Sequence, residues 1–126
     1  MIMIQIPVSL GELIDKITIL EIKQEMLTDA SQLQHVNNEL HLLTQKYNSL
    51  GINLDSYKTT LKMVNRQIWM NEHKVRNMNL EDLTHVAQVA LDTYTANTKR
   101  AKIKLTINQE FSSEIVEMKS YIQEGK

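Results

Sequence analysis

The sequence predicts an all-α fold: a bundle of four main helices with a short N-terminal extended segment. Three observations carry this. Apolar residues recur at three- and four-residue spacings through most of the chain, the pattern of amphipathic helices. Three glycines and one proline in 126 residues are too few for the turns of an all-β protein. Leu, Ile and Met dominate while aromatic residues make up 5%, as expected where helices pack on helices.

Residues 2–6, IMIQI, alternate and are rich in β-branched side chains, so they suit a short strand that Pro7 ends. Ser9, with Glu12 three residues on, is a capping box for a first helix from Leu10 to about Thr28. Asp29 breaks that helix and caps a second, Ser31 to Ser49. Its seam is Leu33, Val36, Leu40, Leu43, Tyr47 and Leu50, and Gly51 stops it. Asp55 is the expected cap of a third helix, Ser56 to Asn77. Asn79 is the expected cap of a fourth, which runs to Gln109. The closing SSEIVEMKSYIQEGK fits either a short fifth helix capped by Ser113 or an extended tail pairing with residues 2–6. The IVEMKSY half favours the tail. One helical domain over residues 1–126 is the expectation.

Placed at 100° steps, Leu10, Leu13, Ile14, Ile17, Leu20 and Leu27 share a broad face of the first helix, with Glu21 in its middle. A narrower second face carries Ile19, Ile22 and Met26, with Asp15 among them. A helix apolar on two sides is buried on two sides, and the second side suits another subunit. The expectation is a homodimer through Asp15, Ile19, Ile22 and Met26. In the third helix the seam is Tyr57, Leu61, Val64, Ile68 and Val75. Asn65, Trp69, Glu72 and Arg76 form a stripe spaced four, three and four. The fourth helix has its seam at Leu83, Val86, Ala87, Ala90, Tyr94, Ala101 and Leu105, with Asn97 and Asn108 within it and Arg100 and Lys104 at its edge.

Inward carboxylates are costly unless paired. The pattern therefore predicts a polar layer in the bundle, and the candidate site is Glu21, Asn65, Trp69, Glu72, Arg76, Asn97, Arg100 and Lys104. One reading makes that layer structural, fixing helix register and oligomeric state. The other makes it a pocket for a small anionic metabolite such as a nucleotide or sugar phosphate. There Arg76, Arg100 and Lys104 hold the anion, Glu21 or Glu72 acts as acid or base, and Trp69 forms a wall.

A net charge of −1 gives no global attraction to nucleic acid or anionic membrane. Without cysteine there are no disulfides, thiolate zinc sites or thiol catalysis. MIMIQIPV lacks the basic start of a signal peptide, and no apolar run spans a bilayer, so a cytoplasmic location is expected. No glycine-rich phosphate loop, Glu-x-x-His pair or HExxH motif is present, so neither a cofactor nor a metal is expected. His35, His41, His73 and His85 read as exposed helix residues. Glu12, Asp15, Glu21 and Glu25 resemble the acidic helix of all-α nucleotide pyrophosphohydrolases, but the second acidic motif is missing. Arg66 and His73 share the spacing of some helical RNases, a pattern chance supplies easily. The cluster from Lys99 to Lys104 splits its charges between seam edge and solvent, too little for a nucleic-acid interface. A chorismate-mutase reading fails because the first arginine is Arg66.

IPVSLGELIDKITILEIK, VNRQIWMNEHKVR, ANTKRAKIKLTIN and VEMKSY together resemble a family of small bacterial proteins known only as a domain of unknown function. The likeness covers nearly the whole chain. The family's pattern places an acid after the glutamate matching Glu72, where this chain has His73, which weakens a paired-carboxylate site there. The resemblance implies a complete single domain and supplies no activity. The sequence alone therefore supports a helical interaction module acting as a homo-oligomer, with an anion binder or enzyme as the alternative.

Overall fold

The computed structural model describes residues 1–118 and is all-α over them. Four helices follow in order: α1 (Leu10–Met26), α2 (Ala30–Ser49), α3 (Asp55–Asn77) and α4 (Leu83–Glu110). Local chemistry sets their starts. The Ser9 hydroxyl accepts from the Glu12 amide at 3.1 Å, and the Asp29 carboxylate accepts from Gln32 at 2.8 Å. The cap of α4 is Asp82, which accepts from the His85 amide, rather than Asn79. Asn79 instead accepts from Glu81 inside the preceding turn. Likewise Asp55 is the first residue of α3, and the side chain of Asn53 accepts from its amide at 2.9 Å. Asx side chains two residues before an amide hold such turns, which moves each helix start from the sequence expectation. Gly51 follows α2 with φ +66°, a conformation open to glycine at little cost.

α1 is the hub. It packs against α2, α3 and α4, while α3 and α4 also pack on each other and α2 lies along α1. The core gathers Leu13, Ile14 and Ile17 of α1 with Tyr47, Leu54, Leu61 and Ile107. Tyr47 ties α2 to the start of α3: its hydroxyl accepts from the Leu54 amide at 2.7 Å and donates to Asp55. α1 and α4 run antiparallel, since Gly11 meets Asn108 and Asp15 meets Arg100.

Length explains what is left uncovered. At about 1.5 Å per residue, α1 spans about 26 Å and α4 about 42 Å. With Gly11 at Asn108, the first turns of α4 run past the end of α1. Leu83 and Tyr94, expected in the seam, are 74% and 66% exposed, and Ala87 and Ala90 are exposed as well. The inward face of α4 is instead Val89, Ala96, Lys104, Ile107 and Asn108.

The segment that follows α4 returns to the start of α1, where the Leu10 amide donates to the Ser113 hydroxyl at 3.1 Å. Among the described residues there is no strand, so residues 2–6 do not pair with 112–118, and residues 119–126 lie outside the described part. Within the described residues no helix is long and apolar enough to cross a membrane.

A close helix contact sits at Gly11. A Cβ there would lie 2.6 Å from the Lys104 carbonyl oxygen and 3.0 Å from its Cα, both backbone atoms that cannot swing away. Gly11→Ala should therefore push α1 and α4 apart and cost about 1–3 kcal/mol in a thermal or urea melt. Gly51→Ala, with open space around its Cβ but a positive φ, should cost about 1 kcal/mol. The reverse ranking would contradict the packing described here.

Candidate functional site

The polar side chains that the fold brings together lie between α1, α3 and α4, and Asp15 is at their centre. Asp15 has no exposed surface. Its carboxylate accepts from the Arg100 guanidinium through both Nε (2.9 Å) and Nη2, a bidentate pair. The Asn65 amide donates to the same carboxylate at 2.9 Å and to the Thr18 hydroxyl at 2.8 Å. Thr18 in turn donates to the Asp15 carbonyl at 2.8 Å. One turn toward the N-terminus, Lys104 Nζ bonds Glu12 at 2.6 Å and Glu117 at 3.0 Å, and stands 3.8 Å from Asp15. One turn further along α4, Asn108 Oδ1 accepts from the Gly11 amide at 2.7 Å.

These positions follow from helix spacing. Gly11, Asp15, Thr18 and Ile22 are separated by four, three and four, so they form one stripe of α1. Arg100, Lys104 and Asn108 are separated by four and face it from α4. Burial by itself raises the Asp15 carboxyl, but the Arg100 hydrogen bonds, the Asn65 amide and the charges of Arg100 and Lys104 outweigh it, so its pKa falls below 3.8. Burial likewise works to lower Lys104, and Glu12, Glu117 and Asp15 overcome it and raise its pKa above 10.5. Hydrogen bonding to Asp15 also raises Arg100. Asp15, Arg100 and Lys104 are thus held as fixed charges at neutral pH.

Above Asp15 and Arg100 a recess of about 280 Å³ opens between α1 and α4, lined by Glu12, Asn97, Arg100, Ala101, Lys104 and Glu117. Of the residues the sequence singled out, Asn65, Arg100 and Lys104 meet around Asp15, and Asn97 lines the recess beside them. Glu21 does not join them. It pairs with Lys58 at 3.1 Å and Lys62 at 3.4 Å, and Glu25 extends that row to Lys62 and Arg66, both at 2.8 Å. Hydrogen bonds from Lys62 and Arg66 hold Glu25 below the ordinary carboxylate range. Trp69 is half-buried on α3, and Glu72 and Arg76 are exposed there, away from the Asp15 cluster. On the proposed dimer face, Asp15 and Ile22 (1% exposed) are covered within the chain itself. Met26 is exposed and Ile19 is half-buried.

Asp15 as the centre, along with Glu12, Thr18 and Glu117, stands outside the set the sequence predicts, while Asn108 is buried as its seam position predicts. A signal for the first was present: a glycine and an acid four apart on one helical stripe mark a close helix crossing. Glu117 lies beyond α4 and had no periodicity to place it. Among the described residues, no group of His, Cys, Asp and Glu is arranged to hold a metal ion.

Residues 4–124 match the family of unknown function DUF6165. No curated protein and no solved structure matches the chain.

Asp15→Asn leaves the partly buried Arg100 without its counter-charge and should cost about 3–5 kcal/mol at pH 7. Because the folded pKa of Asp15 lies below 3.8, its stabilisation is present above that pH and is lost as pH falls through the folded value. In melts from pH 7 downward, the gap between the wild type and Asp15→Asn should narrow in that acid range. A gap constant down to the acid end would contradict the pairing.

Proposed function

The chain belongs to that family, whose description assigns no activity, and we propose that it is a helical interaction module working as a homo-oligomer. The observation that carries this reading is the N-terminal segment. Met1, Ile2, Met3, Ile4, Ile6 and Val8 are all exposed, and no charged side chain occurs before Glu12. Exposed apolar groups in a contiguous run mark interaction sites. In an extended conformation Ile2, Ile4 and Ile6 share one side, and the segment's N–H and C=O groups can template a partner strand. A second copy supplies an identical segment, and antiparallel pairing about a twofold axis satisfies both at once. Pro7 limits the ladder to the residues before it. The outer face of α4, with exposed Leu83, Leu91 and Tyr94, adds apolar surface.

The ionised groups support a binding role over catalysis. Asp15, Glu12, Lys104 and Arg100 are engaged with one another, and Glu21 and Glu25 are engaged with Lys58, Lys62 and Arg66. A general acid or base needs a pKa moved toward neutrality. The shifts of Asp15 and Lys104 run the other way.

Sedimentation equilibrium on the full chain should give about twice the 14.6 kDa mass of one chain. The variant carrying Ile2→Ser, Ile4→Ser and Ile6→Ser should sediment as a monomer with its helical melt unchanged, since these side chains cover no core. A monomeric wild type, or an unchanged mass in the triple variant, would refute this reading.

A further inference from the structure

We propose that the recess between α1 and α4 is a binding site for a small carboxylate, and that Glu117 is its intramolecular occupant. The inference is independent of the oligomer reading. Its first support is the donor set. Asp15 takes two of the five guanidinium N–H donors of Arg100, and among the described residues the others have no acceptor. Arg100 lines the recess together with the exposed Asn97 and with Lys104, so three nitrogen-bearing side chains border one opening. Asp15, itself held by the Asn65 amide, fixes Arg100 from beneath, which orients its remaining donors in advance of any ligand.

The second support is what the recess already holds. Glu117 comes from the segment after α4 and places a carboxylate 3.0 Å from Lys104 Nζ, although its side chain is 43% exposed. A carboxylate on a short tether at a cationic wall is the chemistry a free carboxylate reproduces. Exchange leaves the charge of the recess unchanged. A phosphate dianion brings a second negative charge toward Glu12, which also bonds Lys104 at 2.6 Å. That repulsion selects the monoanion. The recess volume of about 280 Å³ suits a ligand of amino-acid or short-chain-acid size.

A tethered group acts as a competitor at an effective concentration in the millimolar range. Ligand affinity therefore rises when the tethered carboxylate is removed. The test is a sodium acetate titration of the ¹⁵N-labelled full chain, with sodium chloride and sodium phosphate at matched ionic strength as separate arms. Amide shifts of residues 97–104 and the Arg100 Nε–H resonance are followed. Acetate should move these resonances, and Glu117→Ala should tighten acetate by about tenfold. Adding Asn97→Ala to that variant should loosen it again. Glu117→Gln keeps the side-chain volume and gives the same reading if the alanine variant is unfolded by circular dichroism. Acetate shifts no larger than those of chloride in the Glu117 variants would overturn the site. Equal acetate affinity with and without Glu117 would overturn its role as occupant, and tighter binding of phosphate would overturn the carboxylate assignment.

Discussion

Much of this structure depends on how closely α1 approaches α4 at Gly11. With no side chain there, the two backbones come within van der Waals contact at Lys104. That approach lets the Gly11 amide reach Asn108, lets Glu12 reach Lys104 and puts Asp15 beneath Arg100. The three contacts are successive rungs of one antiparallel seam. Each has a distance tolerance of a few tenths of an ångström, so a separation by the width of one methyl group weakens all of them together. α1 also touches every other helix. Its position against α4 therefore sets where α2 and α3 can pack.

Two sets of ion pairs hang on α1, and they are not equivalent. Glu21 and Glu25 meet Lys58, Lys62 and Arg66 with both partners partly in water, where solvent screening leaves such pairs contributing little. Asp15 is fully buried. Its pair with Arg100 has to offset a large desolvation cost, and it does so with bidentate geometry and an extra amide from Asn65. Compared with an apolar replacement, such a pair adds little stability, but breaking it leaves a buried charge alone. Its structural effect is selective: any register of α1 on α4 that separates Asp15 from Arg100 is heavily penalised. The outer row tolerates a shift of a turn, because Lys58, Lys62 and Arg66 are spaced by four and offer alternative partners.

This difference explains what could be read from the sequence. The four helices were legible because their apolar periodicity and their Ser9 and Asp29 caps are local. The polar layer was legible as a class, and Asn65, Arg100 and Lys104 of that class meet around Asp15. Its acid was misassigned. Glu21 sits in the centre of the broad apolar face of α1, yet its longer side chain reaches out to Lys58 and Lys62. Asp15, shorter and beside Gly11, cannot reach water and must be satisfied inside. The choice between them depends on which stripe of α1 meets α4, a tertiary fact. Glu72 and Arg76 were drawn in by spacing, but on α3 they lie on the exposed side. The α4 seam failed for a related reason: helix length is readable, whereas the axial offset that carries α4 past α1 is not.

The same offset bears on assembly. The exposed N-terminal segment leaves α1 beside Asn108, near the C-terminal end of α4, while Leu83 lies at the other end of that helix. Two apolar regions thus sit at opposite ends of an axis of about 42 Å. Association of one end with the other is heterologous and extends without limit unless a rotation closes it. Association of an N-terminal segment with its own copy is isologous and stops at two. The alternation of Ile2, Ile4 and Ile6 favours the second mode, since identical short segments paired antiparallel bring the same apolar side chains together on one face of the ladder. Pro7 lacks an amide hydrogen, so the ladder ends before the helix begins. A segment that is apolar, short and terminated by proline can therefore join two copies while leaving the α1–α4 seam, with its recess, outside the interface.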